Sequence, residues 1–189
     1  MSRERILDAA IERIARDGID EVRIARIAMD AGVSTALVHY HFATREALLA
    51  EALEHSFELA GDVRTVDTGE APAIQRLRDM IEQCLPLPGA QEREWVLWVE
   101  LWLRAVRHPE LRPTAARLYA RMHDWLREAI EDAVEAGELA PNDPDRTADH
   151  VLALIDGFGV RALLGDPAVS IERARDEVWA GLAPIPAPG

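Results

Sequence analysis

The chain has 189 residues, 49% of them hydrophobic, which is enough to bury a core in one domain or two small ones. All 21 basic residues are Arg, and 34 acidic residues outnumber them, giving a formal net charge of −13. This balance excludes a uniformly basic nucleic-acid coat. The single cysteine, Cys84, excludes an internal disulfide and a cysteine-held zinc site.

The charge is unevenly distributed along the chain. Residues 1–50 carry seven Arg and eight acidic residues, a net charge of −1, whereas residues 51–189 have a net charge of −12. Only the first part could therefore approach a polyanion. Met1 leads into an amphipathic pattern rather than an apolar signal core, and no stretch of about 18 apolar residues follows, so we expect a cytoplasmic protein.

The hydrophobic periodicity is helical from end to end, without the alternation of a half-buried strand. A first helix can be capped by Ser2 and ended by Gly18. A short second helix is predicted over about Arg23 to Asp30.

A glycine then interrupts the pattern. Gly32 suits a turn with positive φ, Ser34 can cap a third helix that reaches His41 or Phe42, and Thr44 starts a longer fourth helix. A short helix, a tight turn and a second short helix are typical of a helix-turn-helix.

The second part of the chain is also helical. The polar segment Gly61–Gly69 is predicted to be a loop. The helices predicted after it run from about Pro72 to Leu85, Gln91 to Arg107, Pro109 to Ala136, Pro144 to Leu164 and Ile171 to Leu182. Asp143 and Ser170 can cap the last two of them. The fold class is therefore all-α, with about nine helices.

The third helix carries a surface suited to duplex DNA. Thr35 and His39 are four residues apart, and so are Ala36 and Tyr40, so these four share one face. Thr35 and Ala36 are small and let the backbone approach a groove, where the helix N-terminus favours a phosphate.

The polar side chains on and around this helix divide into two kinds of DNA contact. Thr35 and His39 can reach base edges, whereas the hydroxyl of Tyr40, the imidazole of His41 and the guanidinium of Arg45 suit phosphate oxygens. His41 could instead pack near Phe42. The predicted DNA-binding residues are Arg23, Ser34, Thr35, Ala36, His39, Tyr40, His41 and Arg45.

The pattern of these residues is similar to that of a known protein family. Residues 5–49 resemble the DNA-binding domain of the TetR (tetracycline-repressor) family of bacterial regulators. The matching features are Arg5-Ile6-Leu7 with Ala9-Ala10, Gly18, Ile27-Ala28, Ala31-Gly32-Val33-Ser34, Phe42, and Arg45-Glu46 before Leu48-Leu49. Two later stretches, Trp98 to Arg112 and Leu152 to Phe158, resemble the regulatory domain of a BetI-like subgroup of this family.

The resemblance implies both architecture and function. A helix-turn-helix DNA-binding domain of three helices over residues 1–45 would precede a larger helical domain, residues 46–189, for ligand binding and dimerisation. The protein would be a ligand-responsive repressor that binds a pseudo-palindromic double-stranded DNA operator as a homodimer and is released by a small-molecule effector.

Four positions depart from the family pattern. Val22-Arg23 stands where the family usually has a threonine pair, and Ala36 stands where it has a glycine. His39 occupies the position of the usual tyrosine, with Tyr40 one residue later, and Arg45 replaces the usual lysine. These changes affect which bases are recognised more than whether DNA is bound. They leave open an alternative, a helical small-molecule-binding or interaction module without DNA binding.

An aromatic stripe lies in the second part. Trp95, Trp98 and Trp102 are spaced i, i+3 and i+7 on one helix face. They indicate either a pocket for an apolar or cationic small molecule or the plain core of a bundle. The predicted ligand-binding residues are Trp95, Trp98, Trp102, Met122, Trp125 and Phe158.

The last two predicted helices offer a surface for a second copy of the chain. One stripe of the penultimate helix contains Leu152, Ile155, Gly159, Ala162 and Leu163. A twofold interface is what the family resemblance implies, and packing within the monomer is the alternative.

An enzyme is the rival from another functional class. The sequence has no Ser/His/Asp or Cys/His set in a supporting context and no glycine-rich phosphate loop. The spacings of Glu100, His108 and His123 fit no metal site. We therefore expect no catalytic residues, no metal and no cofactor.

Overall fold

A computed structural model describes residues 2–64, 71–140 and 143–183, with the side chains of residues 60–64 and 110 excepted. Over these ranges the chain forms nine α-helices, two short 3₁₀ segments and no strand, so the all-α prediction is confirmed. The α-helices are α1 Ser2–Asp17, α2 Ile24–Asp30, α3 Thr35–His41, α4 Arg45–Arg64, α5 Ala73–Gln83, α6 Ala90–Arg107, α7 Arg112–Glu135, α8 Pro144–Leu163 and α9 Ile171–Ala180. The 3₁₀ segments are Ile19–Glu21 and Pro109–Leu111.

Side-chain caps begin several helices where the sequence predicts them. Ser34 Oγ accepts a hydrogen bond from the backbone N–H of Leu37 (3.2 Å), and Thr44 Oγ1 accepts one from Ala47 (3.0 Å). The predicted caps of α8 and α9 also form, through Asp143 Oδ1 and Ser170 Oγ. These bonds satisfy backbone donors that the first helical turn leaves without intrahelical partners.

Two boundaries differ from the prediction. The fourth helix continues through Arg64, so residues 61–64 of the expected loop are helical, and residues 65–69 lie outside the described residues. A 3₁₀ segment, Ile19–Glu21, fills the link between α1 and α2, which the periodicity did not reveal. It follows Gly18, whose φ of 76° confirms the predicted helix terminator.

The chain packs as two compact units. The first comprises residues 1–63 and 93–118, and the second comprises residues 64–92 and 119–189. These units describe packing within the chain, and the expected domain boundary after residue 45 stays a prediction. In the first unit α4 and α6 pack with each other and with the N-terminal helices, for example where Phe57 of α4 meets Trp98 of α6, with ring centroids 5.2 Å apart.

The first unit has an aliphatic core beneath its three N-terminal helices. Ile6 and Ile14 of α1, Ile27 of α2 and Val38 of α3 are completely buried, and Phe42 closes the same core. Apolar burial is the main favourable term that holds these short helices together, since helices of seven residues are not stable alone.

The second unit buries the residues that the sequence offered as a dimer surface. Leu152 is 7% exposed and Ile155 is 1% exposed within a single chain, and Gly159 is buried as well. Ala162 and Leu163 are half-buried. For Leu152, Ile155 and Gly159 this burial favours the alternative, packing within the monomer, and their contact with a second copy stays a prediction.

The end of α9 approaches α8 closely at another position. A Cβ on Gly181, which ends α9, would lie 2.3 Å from Leu154 Cδ1 of α8, and Leu154 is outside the Leu152 stripe. None of the described helices is both long and apolar enough to cross a bilayer.

Candidate nucleic-acid interface

The turn between α2 and α3 has the geometry that the sequence predicts. Gly32 has a φ of 64°, and a Cβ there would lie 2.8 Å from the Arg5 guanidinium of α1. The backbone N–H of Val33 donates to Ala28 O at 2.9 Å, and Arg5 donates to Ala31 O. The turn is thus tied both to α2 and to α1.

The third helix presents two distinct faces. On the inner side Val38 and, just beyond the helix, Phe42 are buried. The ring of Phe42 lies 5.4 Å from the guanidinium carbon of Arg3. The opposite side is open: Tyr40 is 82% exposed, and the other four residues of this face are also exposed. We call this set the α3 outer face; it consists of Ser34, Thr35, Ala36, His39 and Tyr40.

Of the α3 outer face, Ser34 uses its hydroxyl to cap the helix, and the other four side chains are directed away from the core. This arrangement matches a recognition helix, in which residues near the N-terminus contact base edges. The prediction that these residues share one solvent-facing surface is confirmed. Their contacts with DNA stay a prediction.

His41 occupies an intermediate position. It is half-buried, and its ring lies edge-on to Tyr40 with centroids 5.3 Å apart. The centroid of the Phe42 ring is 6.2 Å away, so His41 packs near Phe42 as the alternative interpretation expected. A DNA contact from His41 stays a prediction.

Arg23 stands at the start of α2. It is exposed and donates from Nη1 to Asp20 O at 2.8 Å, but its side chain makes no cap for the helix. Val22 before it is buried. The replacement at Val22-Arg23 therefore leaves α2 without a side-chain cap and places a cation on the surface beside it.

Arg45 is directed into the protein. Its Nε donates to Val22 O at 3.0 Å, its Nη2 donates to Ile19 O, and its side chain is 24% exposed. The phosphate contact expected of Arg45 would require the guanidinium to exchange these partners. Both acceptors are backbone carbonyls beside a 3₁₀ segment that the sequence did not reveal.

An ion-pair network that sequence reasoning missed ties α1 to α2. Buried Arg13 donates to both carboxylate oxygens of Asp30, at 2.9 Å from Nη2, and to Asp17 at 3.1 Å. Hydrogen bonds from Arg16 and Arg13 lower the pKa of Asp17 to about 2, and the Arg13 hydrogen bonds lower the pKa of Asp30. A charged residue within the apolar stripe of α1 is the signal that could have found it.

The predicted tryptophan stripe forms an aromatic cluster in the first unit. The ring centroids of Trp95 and Trp102 are 6.1 Å apart, and those of Trp98 and Trp102 are 6.0 Å apart. Phe57, which the sequence did not single out, joins the cluster through Trp98. Both expected roles, core and pocket wall, are compatible with this packing.

A small, partly open depression lies beside the cluster. Its walls are mainly apolar and contain one carboxylate, that of Glu94. The lining residues are Leu53, Ser56, Phe57, Glu94, Leu97, Trp98, Leu101 and Leu118.

The other three predicted ligand-binding residues belong to the second unit. Met122 is buried there, and Trp125 and Phe158 are half-buried, each with an arginine guanidinium near its ring. In the same unit Tyr119 donates to Asp156 Oδ2 at 2.8 Å. Burial raises the pKa of Asp156, and the hydrogen bond from Tyr119 opposes part of that effect.

Metal ligands do not gather anywhere in the described part of the chain. No three side chains among its His, Cys, Asp and Glu residues are close enough together to hold an ion.

Comparison with known proteins matches both halves of the chain. Residues 6–52 fit the family of bacterial regulatory proteins called the tetR family, and residues 73–184 fit the C-terminal domain of the BetI-type transcriptional repressors. The transcriptional regulator BetI of Brucella canis is 27% identical over 170 residues, which cover 89% of this chain and 83% of the relative. Such relatives are transcriptional regulators, a non-enzymatic class.

Solved structures agree with this assignment. A Saccharomonospora viridis protein described as a transcriptional regulator and solved in complex with choline is 34% identical, with a TM-score of 0.83 over 94% of this chain and 93% of that one. A TetR transcription regulator from Haloarcula marismortui, 24% identical, shares the fold with a TM-score of 0.82 over 96% of each chain. This chain therefore belongs to the tetR family of bacterial regulatory proteins, with a BetI-type C-terminal domain, and is a ligand-responsive, DNA-binding transcriptional regulator.

Proposed function

We propose that this protein represses transcription by binding a pseudo-palindromic operator as a homodimer, and that a small quaternary ammonium cation releases it from the DNA. The observation that carries the proposal is the α3 outer face, in which Thr35, Ala36, His39 and Tyr40 are all exposed on a helix whose other side is buried. In a dimer, two such helices would enter successive major grooves about 34–36 Å apart.

The roles proposed on this face follow from chemistry. His39 and Thr35 read base edges, because their ring nitrogens and hydroxyl reach donors and acceptors in the major groove. Tyr40 and His41 bond phosphate oxygens, and exposed Arg23 adds a charge contact. The strongly acidic remainder of the chain, with a net charge of −12 over residues 51–189, repels DNA and leaves this face as the docking surface.

The outer side of α8 supports the dimer. Ala153, Gly157 and Arg161 are exposed at successive i, i+4 positions, and Leu164 just beyond the helix is 78% exposed. A Cβ on Gly157 would meet nothing within 4 Å, so a helix of a second copy has room to approach. We therefore move the proposed interface from the buried stripe to this exposed one, keeping half-buried Ala162 and Leu163 at its edge.

The aromatic cluster supports a cationic effector. Tryptophan faces attract quaternary ammonium groups, and Glu94 places a carboxylate in the depression beside Trp98. The Saccharomonospora viridis relative, 34% identical over most of its length, was solved with choline. Choline carries the charge that the tryptophan face and the Glu94 carboxylate would attract.

The test compares choline with 3,3-dimethylbutan-1-ol, its uncharged carbon analogue. The protein is bound to a fluorescent DNA fragment from beside its own gene, and release is followed by anisotropy while each compound is titrated. We expect choline to release the DNA at concentrations at which the alcohol does not, because only the cation gains the ring and carboxylate contacts. Equal release by the two compounds, or no release by choline, would contradict the proposed effector.

Variants at one ring sharpen the comparison. Trp98→Leu removes the aromatic face and should raise the choline concentration needed for release several-fold, by the roughly 0.5–2 kcal/mol of one cation–π contact. Trp98→Phe keeps an aromatic face and serves as the matched control, with a smaller shift.

A further inference from the structure

The segment that joins α1 to α2 is held in place by hydrogen bonds from a residue of another helix, α4. Arg45, the first residue of α4, extends back to this segment and donates to the carbonyl oxygens of Ile19 and Val22. Its planar guanidinium supplies two parallel donors, from Nε and Nη2, to two acceptors three residues apart. One side chain thus bridges α4 and the start of α2.

The two carbonyls belong to a buried environment. The side chains of Ile19 and Val22 are 2% and 1% exposed, so the chain here lies against the core. A buried carbonyl that loses its donor costs about 1–3 kcal/mol, more where the donor is charged. Arg45 therefore stabilises this segment by satisfying two acceptors at once.

The fastening matters because α2 lacks a side-chain cap. Its first turn begins at Arg23, whose side chain makes no cap hydrogen bond, and Val22 immediately before it is the residue that Arg45 holds. The position of α2 sets the position of α3, because the carbonyl oxygens of Ala28 and Met29 in α2 accept hydrogen bonds from the backbone N–H groups of Val33 and Gly32, in the turn that leads into α3.

We propose that Arg45 is a positioning residue for DNA binding, which holds the Ile19–Val22 segment against α4 and so fixes α2 and α3, instead of contacting a phosphate itself. The proposal rests on operator binding by the α3 outer face. It assigns to Arg45 a role in the protein without DNA, which makes the role measurable in the absence of any operator.

The experiment uses the full chain with Arg45→Gln and Arg45→Lys, and with Arg23→Gln as the matched control for a surface arginine expected to meet a phosphate. Two DNA-free quantities are measured: the thermal unfolding midpoint and the hydrogen-exchange rates of the first-turn amides of α2. Two DNA quantities follow: operator affinity, and the slope of its logarithm against the logarithm of salt concentration.

For a positioning residue we expect Arg45→Gln to lower the unfolding midpoint, speed exchange in α2 and weaken operator binding by about tenfold, with the salt slope unchanged. Arg45→Lys should not restore wild-type exchange, because one ammonium group cannot reproduce the two-pronged contact. Arg23→Gln should do the reverse, reducing the slope by about 1.8, which is about 0.9 for each subunit of the dimer, with little effect on unfolding.

The proposal is overturned if Arg45→Gln reduces the salt slope by about 1.8 for the dimer while unfolding and exchange stay at wild-type values, or if Arg45→Lys behaves as wild type. If Arg45→Gln fails to fold, Arg45→Lys decides through the exchange rates. Absence of operator binding by the wild type would contradict the proposed function, while the unfolding and exchange measurements would still test whether Arg45 holds the Ile19–Val22 segment in place.

Discussion

The guanidinium of Arg104, near the end of α6, forms an ion pair with the carboxylate of Asp20, in the 3₁₀ segment between α1 and α2. The same helix carries Trp98 and Trp102 on its aromatic stripe. Because a helix moves largely as one body, a ligand that shifts the tryptophans would also pull on the segment that precedes α2. This pair therefore links the proposed effector site to the DNA-reading helices within the first unit.

We expect Arg104→Gln to weaken this link more than it weakens DNA binding. An exposed ion pair contributes about 0–1 kcal/mol to stability, so affinity without effector should change little, whereas the ratio of affinities without and with choline should fall several-fold. The measurement is anisotropy at two choline concentrations. Arg107→Gln, an exposed arginine on the same helix, is the control, and an equal loss of the ratio in that variant would contradict the link.

Base preference should depend on His39. If its ring reads a base edge, His39→Ala should reduce discrimination between the operator and a single-base variant by about 1–3 kcal/mol, while nonspecific binding is retained. Competition binding against a panel of operator variants measures this. Gln75→Ala, a substitution at an exposed residue of α5, controls for general effects of substitution. Unchanged discrimination between operator variants in His39→Ala would contradict a base contact by His39.

The Arg13 network should make the protein sensitive to acid. The folded-state pKa of Asp17, about 2, lies below its usual value of 3.8, and that of Asp30 is also lowered. A depressed carboxyl pKa contributes stability above pH 3.8, and this contribution is lost as the pH falls towards 2. Asp30→Asn should therefore be less stable than wild type at pH 6 and should approach it near pH 2. Unfolding measured at both pH values tests this, and a pH-independent difference would refute it.

The dimer proposal makes opposite predictions for two faces of α8. Gly157→Arg on the exposed side should dissociate the dimer in sedimentation or light-scattering experiments, because a long charged side chain blocks close approach. Leu152→Ala on the buried side should cost about 2–5 kcal/mol of folding stability and leave association unchanged. A dimer that survives Gly157→Arg would place the interface elsewhere.

The outcome on α8 shows what the sequence could predict and what it could not. Periodicity identifies residues on one helix face, which is why the helices and the caps at Ser34 and Ser170 are predicted correctly. It does not say whether the chain itself or a partner covers that face, and in the structure the Leu152 stripe is buried within its own chain. Local spacing therefore defined elements, and tertiary packing decided which stripe stayed open.

The candidate DNA interface divides in the same way. The α3 outer face was predictable, because exposure there follows from the burial of Val38 and Phe42 on a short helix. The pairing of Arg13 with Asp30 and the partners of Arg45 were not, since these partners lie 17 to 26 residues away in sequence and two of them are backbone carbonyls. Residue type gives no sign of which carbonyl a guanidinium will reach.

The most direct test of the central claim places one carboxylate on the α3 outer face. Ala36 is exposed, so Ala36→Glu should fold and dimerise as wild type does. We predict that it loses binding to the DNA fragment from beside its own gene in a gel-shift titration, because the added charge faces phosphates and base edges. Binding of Ala36→Glu with wild-type affinity and sequence preference would contradict recognition of DNA through this helix.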